Sequence, residues 1–308
     1  MRGFVGILCL TTSGFSMADS WPAFDDWWDY GDPVATEIRF RELLVREPPN
    51  LDYRIQLTTQ VARTLGLQGR FDEAFALLDS VRAELAAADD ETRVRWLLEH
   101  GRALNSSGKS ELARSDFEEA WDLGQDAGAD GFAVDAGHMI AIVAEGREGI
   151  EWNERLIAYA EKSSDPAAQK WLGSLYNNLG WGYFELEDYA AALAAHRKGE
   201  TFFAGRDEPD RLRIARWSVA KQLRFLDRCA EALEINTALE QEWREAGGQD
   251  GYVYEELGEC LYAQGKTNQA RAQFARAHAL LSADSWLVQN EPDRLARLER
   301  LAGETPDA

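Results

Sequence analysis

Between residues 51 and 281 the apolar positions follow a helical pattern. No run alternates Val, Ile or Thr with polar residues, as a half-buried strand would. What recurs is a small residue followed twelve positions later by alanine. The pairs are Ala62 and Ala74, Gly101 and Ala113, Gly180 and Ala192, Ala220 and Ala232, and Gly258 and Ala270. Twelve residues is too far for one helical face. It suits two short antiparallel helices whose backbones approach where the side chains are smallest. The first members stand at 62, 101, 180, 220 and 258, and one unmarked unit near Ile140 would complete a period of about 39 residues. A fixed period in that range predicts a helical solenoid, an architecture that builds extended binding surfaces.

The residues around these pairs carry a family resemblance. Leu179-Gly180-x2-Tyr183 matches the first helix of the tetratricopeptide repeat, with Tyr176 where that family has Trp. Ala113-x3-Phe117 and Ala270-x3-Phe274 match its second helix, Ala74-x3-Leu78 does so more loosely, and His196 replaces the Phe of the Ala192 unit. The turns Gly69-Arg70-Phe71, Gly108-Lys109-Ser110 and Gly265-Lys266-Thr267 recur in the same register. The chain therefore resembles a tetratricopeptide protein. It departs in a period about five residues above the usual 34, in lacking the terminal Pro, and in the unit around Ile140, where Trp152 takes the place of Ala. The expected fold is all-α: a right-handed α-solenoid of about six hairpins over residues 51–284. An acidic, Trp-rich segment and a capping helix over 19–50 precede it, and a capping helix and tail over 285–308 follow.

Length supports this reading, because 308 residues exceed what a single hydrophobic core usually serves, whereas each repeat packs only on its neighbours. The net charge of −21 argues against nucleic acid and anionic membrane as partners. Residues 1–18 read as a secretory signal, with Arg2, the apolar run Phe4–Leu10 and small residues at Ser16 and Ala18. A periplasmic or secreted location follows, with a cytoplasmic protein carrying a frayed N-terminus as the alternative. No later segment is long and apolar enough to enter a membrane once that signal is removed. Trp21–Tyr30 reads as a cover for the first hairpin, or else as a partner-recruiting segment. Asp32-Pro33 starts a helix that Pro48-Pro49 ends, and Pro292 starts a last helix bearing Arg294, Arg297 and Arg300.

Chemistry-bearing constellations are missing from the sequence. The four histidines, His100, His138, His196 and His278, are far apart, and no zinc-ligand spacing, phosphate-binding glycine loop or nucleophile-elbow motif occurs. We therefore expect no catalytic residue, no metal site and no cofactor. His196, at a core aromatic position, reads as packing. Cys229 and Cys260 fall at helix ends that antiparallel packing brings together. In an oxidising compartment they could form a disulfide adding about 3 kcal/mol, with two buried thiols as the alternative.

The resemblance also implies which side binds: in tetratricopeptide repeats the first helix of each unit lines the concave face. Helical spacing puts residues three before, one after and four after the small residue on that face. They include Thr59 and Arg63; Leu98, Arg102 and Asn105; Gly137, Ala141 and Ala144; Asn177, Trp181 and Phe184; Trp217, Lys221 and Arg224; and Glu255, Glu259 and Tyr262. Gln60, His138 and Asn178 lie beside them. Cationic, amide and aromatic groups thus collect inside an acidic chain. Asn177 and Asn178 suit a peptide backbone, Trp181 and Trp217 offer flat faces, and Arg63, Arg102, Lys221 and Arg224 suit a ligand that is acidic or ends in a free carboxylate. The expected function is a non-enzymatic protein–protein interaction scaffold holding an extended peptide or protein tail. The alternatives are an α/α-toroid carbohydrate-active enzyme using paired carboxylates, and a cytoplasmic peptide-sensing regulator.

Overall fold

The structure, a computed structural model, describes residues 21–303 except Glu145. The expected signal sequence at 1–18 lies outside the described residues. A 3₁₀ turn at Phe24–Trp27 leads into α1 (Pro33–Val45), whose first turn is capped by the Asp32 carboxylate accepting from the Ala35 amide. Six antiparallel hairpins follow. They are α2 (Leu51–Leu67) with α3 (Phe71–Arg82), α4 (Asp90–Ser106) with α5 (Ser110–Asp126), and α6 (Asp130–Val143) with α7 (Arg147–Ala160). The short α8 (Pro166–Gln169) is inserted before α9 (Leu172–Glu185) and α10 (Tyr189–Ala204). Then come α11 (Pro209–Phe225) with α12 (Cys229–Glu245) and α13 (Gly251–Ala263) with α14 (Thr267–Leu281). The chain closes with α15 (Ser285–Asn290) and α16 (Pro292–Gly303). Each helix packs mainly on its sequence neighbours, and the architecture is an all-α solenoid.

In the second, fourth and sixth hairpins the small residue makes room for a ring sixteen positions on, in the returning helix. A Cβ on Gly101 would lie 2.5 Å from the Phe117 ring, one on Gly180 2.4 Å from His196, and one on Gly258 2.7 Å from Phe274. The alanines at the twelfth position, Ala74, Ala113, Ala192, Ala232 and Ala270, are fully buried beside these contacts. The third hairpin corrects the sequence reading. Its small residue is Gly137, not Ile140, and a Cβ there would meet Leu156 at 2.4 Å. Gly137 is thus buried in the hairpin joint and leaves no room on the inner face. The extra linker length before the fourth hairpin is taken up by α8.

Seven residues after the small residue the backbone turns left-handed, at Gly69, Gly108, Glu187, Asp227 and Gly265. Each of these turns is closed by the same amide-to-carbonyl bond spanning five residues, such as Arg70 to Leu65 and Asp188 to Tyr183, both of which terminate a helix in a Schellman geometry. Hairpins 4 and 5 place acidic side chains in this strained conformation.

Both ends of the stack are covered. Phe24 is buried against Phe40 and Tyr53, the Tyr53 hydroxyl donates to the Pro22 carbonyl at 2.9 Å, and Trp28 Nε1 donates to Gln60 at 3.0 Å. At the far end Leu295, Leu298 and Leu301 of α16 join the core of the sixth hairpin. Two substitutions test the joint and the turn by urea unfolding. Gly101→Val should cost about 3 kcal/mol, because it overpacks against Phe117. Glu187→Gly should add about 0.5 kcal/mol by relieving its left-handed backbone.

Candidate functional site

The first helices of the hairpins, α2, α4, α6, α9, α11 and α13, present one connected face. From α2, Arg63 reaches Glu99 on α4 at 3.0 Å. Arg102, one turn on, bonds the same Glu99 oxygen at 2.7 Å and continues to Asp135 on α6. His138 of α6 lies across from Asn178 of α9, Nδ1 to Nδ2 at 3.3 Å. Asn177 accepts from Trp181 Nε1 at 3.2 Å, and the Trp181 ring meets that of Trp217 on α11 at 5.9 Å. Lys221 lies over Trp217, and both Lys221 and Arg224 close on Glu256 of α13. The structure therefore joins Arg63, Arg102, His138, Asn177, Asn178, Trp181, Trp217, Lys221 and Arg224 along one face. Asn105 stands apart, accepting from Ser110 in the turn of its own hairpin.

The charge of this face differs from the expectation of free cations. Glu256 is fully buried and receives a bidentate Arg224 at 2.6 and 3.0 Å, with Lys221 at 3.5 Å. Glu99 is 4% exposed beneath Arg63 and Arg102. Glu255 and Glu259 are held by Arg294 and Arg297 of the last helix. Within an acidic chain, buried carboxylates draw the arginines into structural pairs, since an unpaired buried charge is far costlier than a paired one.

What the face leaves open lies toward the N-terminal ends of these helices. A hollow of about 680 Å³ runs from Tyr30 across Glu91 and Phe132 to Lys170, Trp171 and Arg211. It adjoins a cavity of about 330 Å³ lined by His138, Ser174, Asn177, Asn178 and His196, with Trp171, Ser174 and Arg211 common to both. Here α9 and α11 stand apart, whereas α2 and α4 pack closely. Sequence reasoning missed Lys170, Trp171, Ser174, Arg211 and His196. It counted positions around the small residue, while Ser174 and Ile214 sit six before Gly180 and Ala220, and Lys170 and Trp171 belong to the inserted turn. The six-before position, applied to every unit, would have found part of this lining.

A separate cleft of about 720 Å³ opens between α3, α4 and α5, where His100 Nδ1 donates to Asp116 at 2.6 Å. Its described lining includes no Ser, Thr or Cys that a His–Asp pair could activate. Cys229 and Cys260 meet as free thiols within hydrogen-bonding reach. Burial, then the Cys229 thiol, pushes the Cys260 thiol up, so its reactive thiolate form is disfavoured. Among the described residues no group of three potential metal ligands occurs, and no helix is long and apolar enough to cross a membrane.

This geometry defines a tetratricopeptide-like α-solenoid. By sequence the chain matches no family model and no curated protein. Solved structures share the fold. A signal-transduction ATPase with a tetratricopeptide repeat sensor, from Pyrococcus horikoshii, superposes with a TM-score of 0.70 at 13% identity. The match covers 86% of this chain and 43% of that one, so this chain spans less than half of the ATPase. BtubC (BKLC) from P. vanneervenii gives 0.54 at 14% identity over 75% of this chain and 94% of that one. A kinesin light chain with TPR-like repeats from Podosopora anserina gives 0.52 at 17% identity over 65% and 99%.

Two measurements probe the buried polar groups. Lys221→Gln with Arg224→Gln strands the Glu256 carboxylate and should cost about 3–5 kcal/mol in urea unfolding. Burial lowers the His196 pKa to about 4. The unfolded chain takes up a proton below about 6.5 that folded His196 refuses until about 4, so stability falls as pH drops through that window. His138, also lowered by burial, adds in the same direction. The stability difference between wild type and His196→Phe should therefore shift by about 2 kcal/mol between pH 7 and pH 5, in favour of the variant.

Proposed function

We propose that the chain is a non-enzymatic interaction scaffold that holds an extended peptide or protein tail along its inner helices. The observation that carries this reading is the chain's own Trp21–Tyr30 segment, which already lies on that face as a bound peptide would. Asp25 makes a bidentate pair with Arg95 of α4 at 2.6 and 2.7 Å, Trp28 bonds Gln60 of α2, and Arg63 lies over the Trp28 and Tyr30 rings. An acidic, aromatic stretch with one 3₁₀ turn is thus compatible with these side chains. Past Tyr30 the same face continues as the hollow toward Arg211.

The ligand is then gripped in the hollow by amides and ring faces. Asn177 and Asn178 supply donors and acceptors for a backbone, Trp171 supplies a flat wall, and Lys170 and Arg211 on the rim suit an acidic side chain or a terminal carboxylate. Lys221 and Arg224 hold the fold together through Glu256 and leave ligand charge to the rim. The Pyrococcus ATPase is described as carrying a tetratricopeptide repeat sensor. The signal-like first eighteen residues are the support for reading this scaffold as periplasmic or secreted, with a cytoplasmic location as the alternative.

Affinity capture with the full chain as bait, followed by identification of bound proteins and peptides, tests this. Asn177→Ala with Asn178→Ala, and separately Trp171→Ala, should each reduce capture at least about tenfold while costing under about 2 kcal/mol of stability. Capture that is undiminished in both variants would overturn the groove assignment.

A further inference from the structure

We propose that the cavity between α9, α10 and α11 is a receptor for one planar aromatic group with a polar edge, a phenol or an indole. Its volume of about 330 Å³ is at the small end of ligand pockets. It exists because α9 and α11 diverge here, while two turns further along the Trp181 and Trp217 rings bridge the same helices at 5.9 Å. Trp171 and Phe203 give it ring walls and Ile214 an aliphatic one. Ring walls favour an aromatic occupant through offset and edge contacts.

The polar edge is read from His196. This residue sits sixteen positions after Gly180, where the second and sixth hairpins place Phe117 and Phe274. It is 2% exposed, lines the cavity, and its Nε2 has no hydrogen-bond partner. An unpaired buried polar atom costs about 1–3 kcal/mol, and a phenylalanine in this slot would remove that cost. Packing against Gly180 and Trp181 fills the slot but leaves Nε2 of the histidine without a partner. Departures from local consistency of this kind mark functional positions.

Charge defines the occupant further. Burial keeps the His196 ring neutral near pH 7, so it offers one N–H and one lone pair. His138 opposite accepts from Asn178 at Nδ1, which leaves its own proton on Nε2. Arg211, the cation on the lining, sits at the exposed rim with Glu208 at 3.1 Å. Neutral imidazoles and aromatic walls suit a hydroxyl or an indole N–H better than a carboxylate or phosphate. The group can come from a tyrosine or tryptophan of the peptide held in the groove, which rests on the reading above, or from a free aromatic molecule, which does not.

The test uses the full chain with p-cresol and with toluene, which has the same shape without the hydroxyl. Binding is followed by saturation-transfer NMR and by the His196 imidazole resonances. We expect saturable p-cresol binding that shifts His196, with toluene at least about tenfold weaker. Ser174→Phe, which fills the mouth from the half-buried first turn of α9, should abolish it. His196→Phe should raise stability and erase the preference for p-cresol over toluene. Equal binding of the two probes to wild type, no saturable p-cresol binding, or an unchanged preference in His196→Phe would overturn the proposal. N-acetyl-tyrosinamide distinguishes the sources. If it binds as p-cresol does and Ser174→Phe also loses captured peptides, the occupant is a peptide side chain. If p-cresol binds while peptide capture is absent or unaffected by Ser174→Phe, the receptor stands and its ligand is a free aromatic molecule. Absence of capture would count against the groove reading alone.

Discussion

The hairpin joint is the constraint on which everything else in this molecule rests. A glycine or alanine on the first helix removes the side chain that would otherwise hold the second helix away, and a bulky residue of the returning helix fills the space, sixteen positions later in the second, fourth and sixth hairpins and nineteen later in the third. Gly101 under Phe117 and Gly258 under Phe274 are the plainest cases. Because the joint fixes how each pair of helices is rotated, it also fixes which side of the first helix is left for the neighbouring hairpin and which for the hollow. The left-handed turn seven residues after the small position is part of the same device, since it sets where the returning helix begins.

With the joints set, first helices of successive hairpins lie side by side and their polar residues must find partners there. In a chain with 54 acidic and 33 basic residues, cations are the scarce partner. Arg63 and Arg102 share Glu99, Lys221 and Arg224 share Glu256, and Arg294 holds Glu255. These pairs register one hairpin against the next. They also neutralise the middle of the inner face, so that the groups left outside those pairs are the amides, the indole rings and the rim cations near α8. The stretch just after α8 matters for the same reason, because Trp171 and Ser174 line the space beside His196.

Much of this organisation was legible in the sequence. Five of the hairpins, their turns, the Asp32-Pro33 helix start and the last helix at Pro292 follow from small residues, glycine and proline at fixed offsets. Such features act over one or two helical turns, and local chemistry dictates them. The third hairpin was misregistered by three residues, because Gly137 and Ile140 both fit a small or apolar slot and only packing against Leu156 distinguishes them. Of the residues read onto the inner face, Arg63, Arg102, Trp181, Trp217, Lys221 and Arg224 make contacts from helix to helix, whereas Thr59, Leu98 and Gly137 are buried, Asn105 stands apart, and the cations are paired where free ones were expected. Whether an arginine is free depends on a carboxylate some thirty residues away on another helix.

By itself the amino-acid sequence determined the repeat, the all-helical class and the face that carries Asn177, Trp181, Trp217 and their neighbours, since periodicity alone sorts residues onto helical faces. Tertiary structure alone decided that the cations are paired, that Trp21–Tyr30 lies against α2 and α4, and that α9 and α11 part to form a cavity beside His196. Each of these turns on distances between helices, and those distances are set by how bulky side chains interlock across a joint, a property of the packed molecule that no single stretch of chain contains.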